Sequence, residues 1–283
     1  MRVKETFGFS EDYSVWKHGN PKHMLRLQNG HPNGLKTKVT IKNHETGEIL
    51  FEGQNKTMIA GSEFMALHMF DLPHDKMITP TYNNALNLDN TVNSTDPENT
   101  YAVHLFCIGT SGCNRESALK YEVDNKHWIY PTDDIIPIRY VPFTDDLTPE
   151  ERNMYFGRYT DTAKNYYAYY FKKFDSDTVM NRQLADGTPI DSTIYDNNST
   201  EPAQVICTNT MSLTTDEGRE YFIATSGINE GRFNCLSMCL SWTKVISGYT
   251  YHQDIRPATR VNFSNKYFND LGASWDIIYA IYF

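Results

Sequence analysis

Cysteine is scarce in this 283-residue chain, positive charge is outnumbered, and no long apolar run occurs, so several classes of function drop out at once. Five cysteines are an odd number at low density, which does not make a disulfide scaffold. The pairs Cys107/Cys113 and Cys235/Cys239 have neither zinc-knuckle nor thioredoxin spacing, so reduced, partly buried thiols are expected. Lys and Arg total 26 against 35 for Asp and Glu, a net charge of −9 that repels phosphate backbones and anionic membranes. Nucleic acid and membrane are therefore not expected as partners. No stretch approaches the roughly 18 apolar residues of a membrane span. The N-terminal sequence MRVKETFGFSEDYSVW has charges where an export signal needs an apolar stretch, which predicts synthesis in a cytoplasm.

Chemical motifs are missing as well. There is no Gly-rich phosphate loop, no G-x-G-x-x-G and no H-E-x-x-H, and the nine histidines are scattered singly. The stretches Gly109-Thr110-Ser111-Gly112 and Ala224-Thr225-Ser226-Gly227 fall short of a nucleophile elbow. The expectation is a protein without cofactor, metal site or catalytic centre.

What is present is an apolar fraction of 40% with 22% charged residues, enough for a sizeable core and a solvated surface. Nineteen tyrosines and fifteen phenylalanines lie between frequent Gly, Asn, Asp and Thr, the habit of strands joined by turns. We expect a mainly β fold, a jelly-roll-like β-sandwich over residues 36–283, with one or two short helices and long loops at about 74–100 and 175–202. Residues 1–35 read as an irregular arm. Lys38–Lys42 and Glu48–Glu52 form a hairpin around Asn43–Gly47, and a short helix follows from Ser62 to Phe70. Thr148-Pro149-Glu150-Glu151 starts another short helix. Strands are expected at Tyr101–Gly109, Lys164–Phe174, Gln204–Asn209, Glu220–Thr225, Phe233–Trp242, Thr259–Phe263 and Ser274–Phe283.

Two sets of aromatic residues are interface candidates. Phe7, Phe9, Tyr13 and Trp16 would dock the arm on a neighbour, while Tyr166, Tyr167, Tyr169, Tyr170 and Phe171 suit a strand with both faces covered, by core or by interface. Carboxylates at Asp133, Asp134, Asp145, Asp146, Asp175 and Asp177 stand beside aromatic strands, where a β-rich glycosidase would need a pair; solvated turns explain them as well.

The order of segments adds a resemblance. Thr46-Gly47-Glu48 in a hairpin, Gly53-x-Asn55-Lys56 leading through Gly61 to a short helix, a strand closing on Ile108-Gly109-Thr110, then Ile228-Asn229-Glu230-Gly231-Arg232-Phe233, and Arg260-x-x-Phe263 before a last strand with Trp275: together these resemble virion structural proteins of tailed bacteriophages, of neck, collar, tail or baseplate type. Ser111 after Thr110, and Arg232-Phe233, depart from that group's pattern. The resemblance implies a non-enzymatic subunit, assembled in the host cytoplasm, oligomeric in the particle and bound to other virion proteins. The competing expectation is a carbohydrate-binding or receptor-binding sandwich module using exposed Tyr and Trp as sugar platforms.

Overall fold

A computed structural model describes residues 36–54, 56–57, 59–69, 77, 81–89, 101–117, 120–123, 135–184, 188–189, 203–214, 216–227, 229, 231–246, 248–268 and 274–282. The expected arm, with Phe7, Phe9, Tyr13 and Trp16, lies outside the described residues, as do Asp133 and Asp134.

The fold is mainly β, two antiparallel sheets packed face to face. The expected hairpin is β1 (Lys36–Asn43) and β2 (Ile49–Gln54). Asn43 closes it, its Oδ1 accepting from the backbone N–H of Glu45 and Thr46 at 2.9 Å each. The last strand, here β15 (Trp275–Tyr282), lies beside β1, with Val39 opposite Tyr279 and Ile41 opposite Ile277. On its other edge runs β12 (Ala203–Leu213), and beyond that β11 (Val179–Leu184), so the five-stranded sheet has the order β11-β12-β15-β1-β2.

The second sheet has eight strands. Its centre is β13 (Arg232–Ile246), flanked by β14 (Tyr249–Tyr267) and β4 (Tyr101–Gly109). Short β3 (Lys56–Thr57) pairs the outer edge of β14, and β7 (Ile135–Ile136) joins the other edge of β4. There too β4 meets the end of β10 (Tyr166–Lys173), which runs between β8 (Arg139–Pro142) and β9 (Tyr155–Asp161). A separate hairpin, β5 (Cys113–Ser117) and β6 (Lys120–Val123), follows β4.

Alternation fixes which side chains meet. Along β15, Trp275, Ile277, Tyr279 and Ile281 point inward, with their neighbours partly exposed. They join Val39 and Ile41 of β1 and Met211 and Leu213 of β12, and face Phe106, Ile108, Phe233, Leu236, Met238, Val261 and Phe263 of the other sheet. Aromatic edges interlock there: the Phe233 ring lies 5.1 Å from Trp275 and 5.6 Å from Phe263, both edge-on.

The outer face of the large sheet is covered too. Helix α1 (Ile59–Met69) packs on β14 with Ala60, Phe64 and Leu67 near Tyr101, Leu240, Trp242 and Ala258. It begins three residues before the expected Ser62. Beyond it, α2 (Tyr82–Ala85) brings Tyr82 and Leu88 onto Leu105, Cys107, Phe171, Cys239 and Ile255. The stretch 74–100, read as a surface excursion, thus contains buried residues; its apolar side chains are too sparse to show a period.

Two further expectations change. The loop expected at 175–202 contains β11, whose side chains Val179–Arg182 are exposed and so carry no burial pattern. Glu220–Thr225, read as a strand, is helix α3 (Arg219–Thr225). The β-branched and aromatic residues there favour strand, but Glu220 is committed to a bidentate pair with Arg139, and tertiary contact overrides propensity. The expected helix after Thr148 is a single 3-10 turn, Glu151–Asn153. Thr148 and Glu151 cap each other reciprocally there, the Glu151 carboxylate accepting from the Thr148 N–H at 2.8 Å.

Candidate functional site

One cleft of about 230 Å³ opens beside β9. Its walls come from three places: Tyr155–Arg158 of β9 with Arg152 and Tyr169, residues Asn83 and Asp89 of the α2 segment, and Tyr249–His252 at the start of β14. The β13–β14 hairpin makes the last wall because it outruns its neighbour: β4 ends at Tyr101, opposite Trp242, while Thr243–Ile246 continue with β14 alone. Ile246 pairs Tyr249 at the end of this hairpin, where Gly248 takes φ 83°.

Charge is arranged in pairs along this wall. Asp146 accepts from the Tyr169 hydroxyl at 2.6 Å and from the Leu147 N–H at 2.8 Å, and it is bonded to Arg152. Asp89 is bonded to the Thr160 hydroxyl and lies 3.3 Å from Nε of Arg158. Arg158 stacks 4.8 Å above the Tyr167 ring, and its Nη1 is 3.6 Å from Asp146. Burial first, then the hydrogen bond to the Asp146 carboxylate, pushes the Tyr169 phenol above its usual range.

Behind His252 lies a buried polar trio. The Ser241 hydroxyl is 2.8 Å from Nδ1 of His252 and 3.2 Å from Nδ1 of His104, and the Ser241 carbonyl is 3.1 Å from that same nitrogen. A serine beside a histidine resembles a nucleophile with its base. Two facts oppose that chemistry: Ser241 is fully buried, and burial, reinforced by the charges of His104 and Lys173, lowers His252 to about 3, a feeble base. The trio holds strands β4, β13 and β14 together.

A second charged centre joins β10 to the turn before α3. Lys172 is bonded to Glu217 at 2.8 Å and donates to the Ser212 carbonyl at 2.7 Å. Glu217 also accepts from the Thr214 N–H at 2.6 Å and from the Tyr155 hydroxyl. Arg139 donates to both oxygens of Glu220, at 3.0 and 3.2 Å, and to Glu151 at 3.3 Å. These groups are spent on one another.

The five β10 candidates divide by depth. Phe171 is fully buried, its ring 5.2 Å from Tyr82, and Tyr169 is buried against Val141 and Leu147. These two are core residues of the chain itself, because each packs on apolar residues of this same chain, Phe171 on Tyr82, Leu105 and Phe156 and Tyr169 on Val141 and Leu147. Tyr166, Tyr167 and Tyr170 are half-buried: Tyr166 stacks on Tyr140 at 4.6 Å, Tyr167 leans on Phe143 at 4.5 Å, and Tyr170 packs beside the Phe171 cluster. Among the carboxylates, Asp145 and Asp177 are exposed and Asp175 lies 3.8 Å from Lys172. Cysteines 107, 113, 207, 235 and 239 are all free thiols.

Sequence reading missed Arg158, His252, Lys172 and Glu217. Each is an isolated residue whose partners come from other strands, so no spacing signal announces it. Among the described residues no three His, Cys, Asp or Glu side chains converge as metal ligands, and no helix is long and apolar enough to cross a membrane.

The motif glycines and asparagines also find their places. Gly112 follows β4 and donates its N–H to Oδ1 of Asn234 at 2.6 Å, while Nδ2 of Asn234 donates to the Thr110 carbonyl at 2.9 Å. Gly227, in the similar turn after Thr225, ends a helix instead, its N–H donating to the Phe222 carbonyl at 2.6 Å.

No curated protein and no solved structure matches the chain. A family model does, over residues 50–232, which takes in β2 through the first residue of β13, and so the α2 segment and β3 to β12 but neither β14 nor the rest of β13. That span is more than half of the sequence, and on it the chain belongs to a family of unknown function, DUF7208.

Proposed function

We propose that the protein is a structural subunit of a tailed-bacteriophage particle, of neck, collar, tail or baseplate type, that works through protein–protein contacts and repeats as an oligomer in the assembled virion. The observation that carries the assembly reading is β11. It is the edge of the five-stranded sheet, and its adjacent residues Val179 and Met180 are 53% and 52% exposed. Adjacent strand residues face opposite ways, so the first half of this edge shows one apolar side chain on each face, while its second half carries exposed Asn181 and Arg182 and a bridge from Gln183 to Pro189. Natural monomers blunt open edges with charge, proline or cover, because an open edge is a template for another chain. The Val179–Met180 stretch is left without that protection, and a subunit destined for a neighbour has reason to keep it so.

Internal spending of charge fits the same reading. The Lys172–Glu217 and Arg139–Glu220 pairs tie elements together and leave the scaffold rigid. The tailed-phage part rests on the order of segments around Gly53, Gly109, Phe233, Arg260 and Trp275. Peptide mass spectrometry on gradient-purified particles from the source culture tests it. A fixed copy number relative to the main capsid protein is expected. Abundance in the lysate with absence from particles overturns it.

A further inference from the structure

In the cleft beside β9 most of the carboxylate oxygens are committed, while the arginines paired with them keep N–H groups in hand. Asp146 uses one oxygen on the Tyr169 hydroxyl and the Leu147 N–H and the other on Arg152. Oδ2 of Asp89 is taken by the Thr160 hydroxyl. Arg158 has the opposite account. Its Nε is buried without a hydrogen bond, the 3.3 Å approach to Asp89 giving charge attraction without alignment, and the 3.6 Å approach of Nη1 to Asp146 is beyond hydrogen-bond range. Nε itself is closed to solvent, but no hydrogen bond engages the Nη edge among the described residues, and that edge has N–H groups available for a carboxylate. Close by, Arg152 is 41% exposed, and Asn83 commits its Oδ1 to the Ile255 N–H, leaving its amide donors unspent. Nε2 of His252 likewise has no hydrogen bond among the described residues, since Ser241 holds Nδ1.

The β14 wall is aromatic. Tyr249 is 41% exposed and Tyr251 half-buried, giving flat apolar faces with hydroxyl rims. A flat ring wall in the same cleft as these donors suits a ligand that is itself a ring with one apolar face, several hydroxyls and a negative group. At about 230 Å³ the cleft is below the roughly 300–1,000 Å³ of drug-sized sites, so it has room for a single ring.

We propose that this cleft binds an acidic sugar, a pyranose carrying a carboxylate, with the carboxylate on Arg158 and Arg152 and the ring against Tyr249 and Tyr251. The inference is independent of the assembly reading: a particle subunit and a free module would use the cleft alike, and loss of one leaves the other standing. An acidic peptide would satisfy the arginines but leaves the tyrosine wall without a role.

Isothermal titration of the full-length protein with glucuronate, galacturonate and N-acetylneuraminate tests it, with glucose, acetate and a glutamate-rich peptide as the other arms. Binding of at least one acidic sugar is expected, about tenfold or more tighter than glucose or acetate. Arg158→Gln and, separately, Tyr249→Ala each weaken it by about tenfold or more, while Ile223→Ser, at an exposed position outside the cleft lining, leaves it unchanged. Tyr249 is at an exposed hairpin tip, so its variant keeps the test valid should Arg158→Gln fail to fold. The proposal is overturned by no acidic-sugar binding at millimolar concentration, by acetate or glucose binding as well as the acidic sugars, by binding of the peptide alone, or by affinity that survives Tyr249→Ala.

Discussion

Lys172 and Glu217 carry opposite charges into a region that excludes water, with side chains 5% and 2% exposed. Desolvation of each ion is costly, and only the pair, with Ser212, Thr214 and Tyr155 as hydrogen-bond partners, offsets it. Glu217→Gln keeps the shape and leaves the Lys172 ammonium only the more exposed and more distant Asp175, at 3.8 Å, as counter-charge. Its stability should fall by about 3–5 kcal/mol, read as a lower urea midpoint at unchanged slope. His252 supplies a pH dependence. Burial, then the charges of His104 and Lys173, lowers it from 6.5 to about 3, and burial lowers His104 in the same direction. Between those values the unfolded chain holds protons that the folded chain refuses, so stability is complete above about pH 6.5 and declines as pH falls toward 3. The loss is on the order of a few kcal/mol, and His252→Asn, which keeps a partner for Ser241 but does not titrate, should flatten the acid limb of a thermal-melt series. None of these residues was legible in the sequence, because a single Lys, Glu or His has no period and its partners sit on strands far away along the chain.

The turn after β4 and the free edge at β11 matter at the scale of elements. A Cβ on Gly112 would lie 2.1 Å from the Asn234 carbonyl oxygen, backbone that cannot move aside. Gly112→Ala should therefore cost about 1–3 kcal/mol and shift the melting temperature down, with a similar loss in Asn234→Ala, whose side chain bridges Gly112, Thr110 and Asn265. The glycine itself was visible as turn chemistry; the reason for it was not, since Asn234 lies on β13. Edge strand β11 behaves differently. Val179→Lys with Met180→Glu touches no buried surface, so the fold should hold to within about 0.5 kcal/mol by urea titration. The same double variant should lower the assembled fraction in sedimentation velocity, since a charged edge does not template pairing. Strands β1, β4, β13 and β15 were legible because alternation or a dense apolar run marks them, whereas β11 was not, its side chains being exposed on both faces.

Across the whole molecule, two sheets share one core, and the larger has a second apolar layer beneath α1 and the α2 segment. That double cover accounts for the aromatic wealth of β10, where Tyr169 and Phe171 are interior and Tyr166, Tyr167 and Tyr170 reach toward the surface. It also places the cleft: β9, the α2 segment and the overhanging hairpin each supply part of its lining, Arg158 and Tyr249 among them. The sequence by itself determined the mainly β class, the first hairpin and the last core strand, and the free state of the five thiols was expected from their spacing. Local period and turn chemistry suffice for those, since each is a property of a few consecutive residues. Tertiary structure alone decided that Glu220–Thr225 is a helix, that residues near Tyr82 plug the outer face, and that Arg139, Lys172, His104 and Arg158 meet the partners they do. The reason is that burial and charge pairing depend on which strands lie side by side, and strand order is a non-local outcome of packing two faces at once.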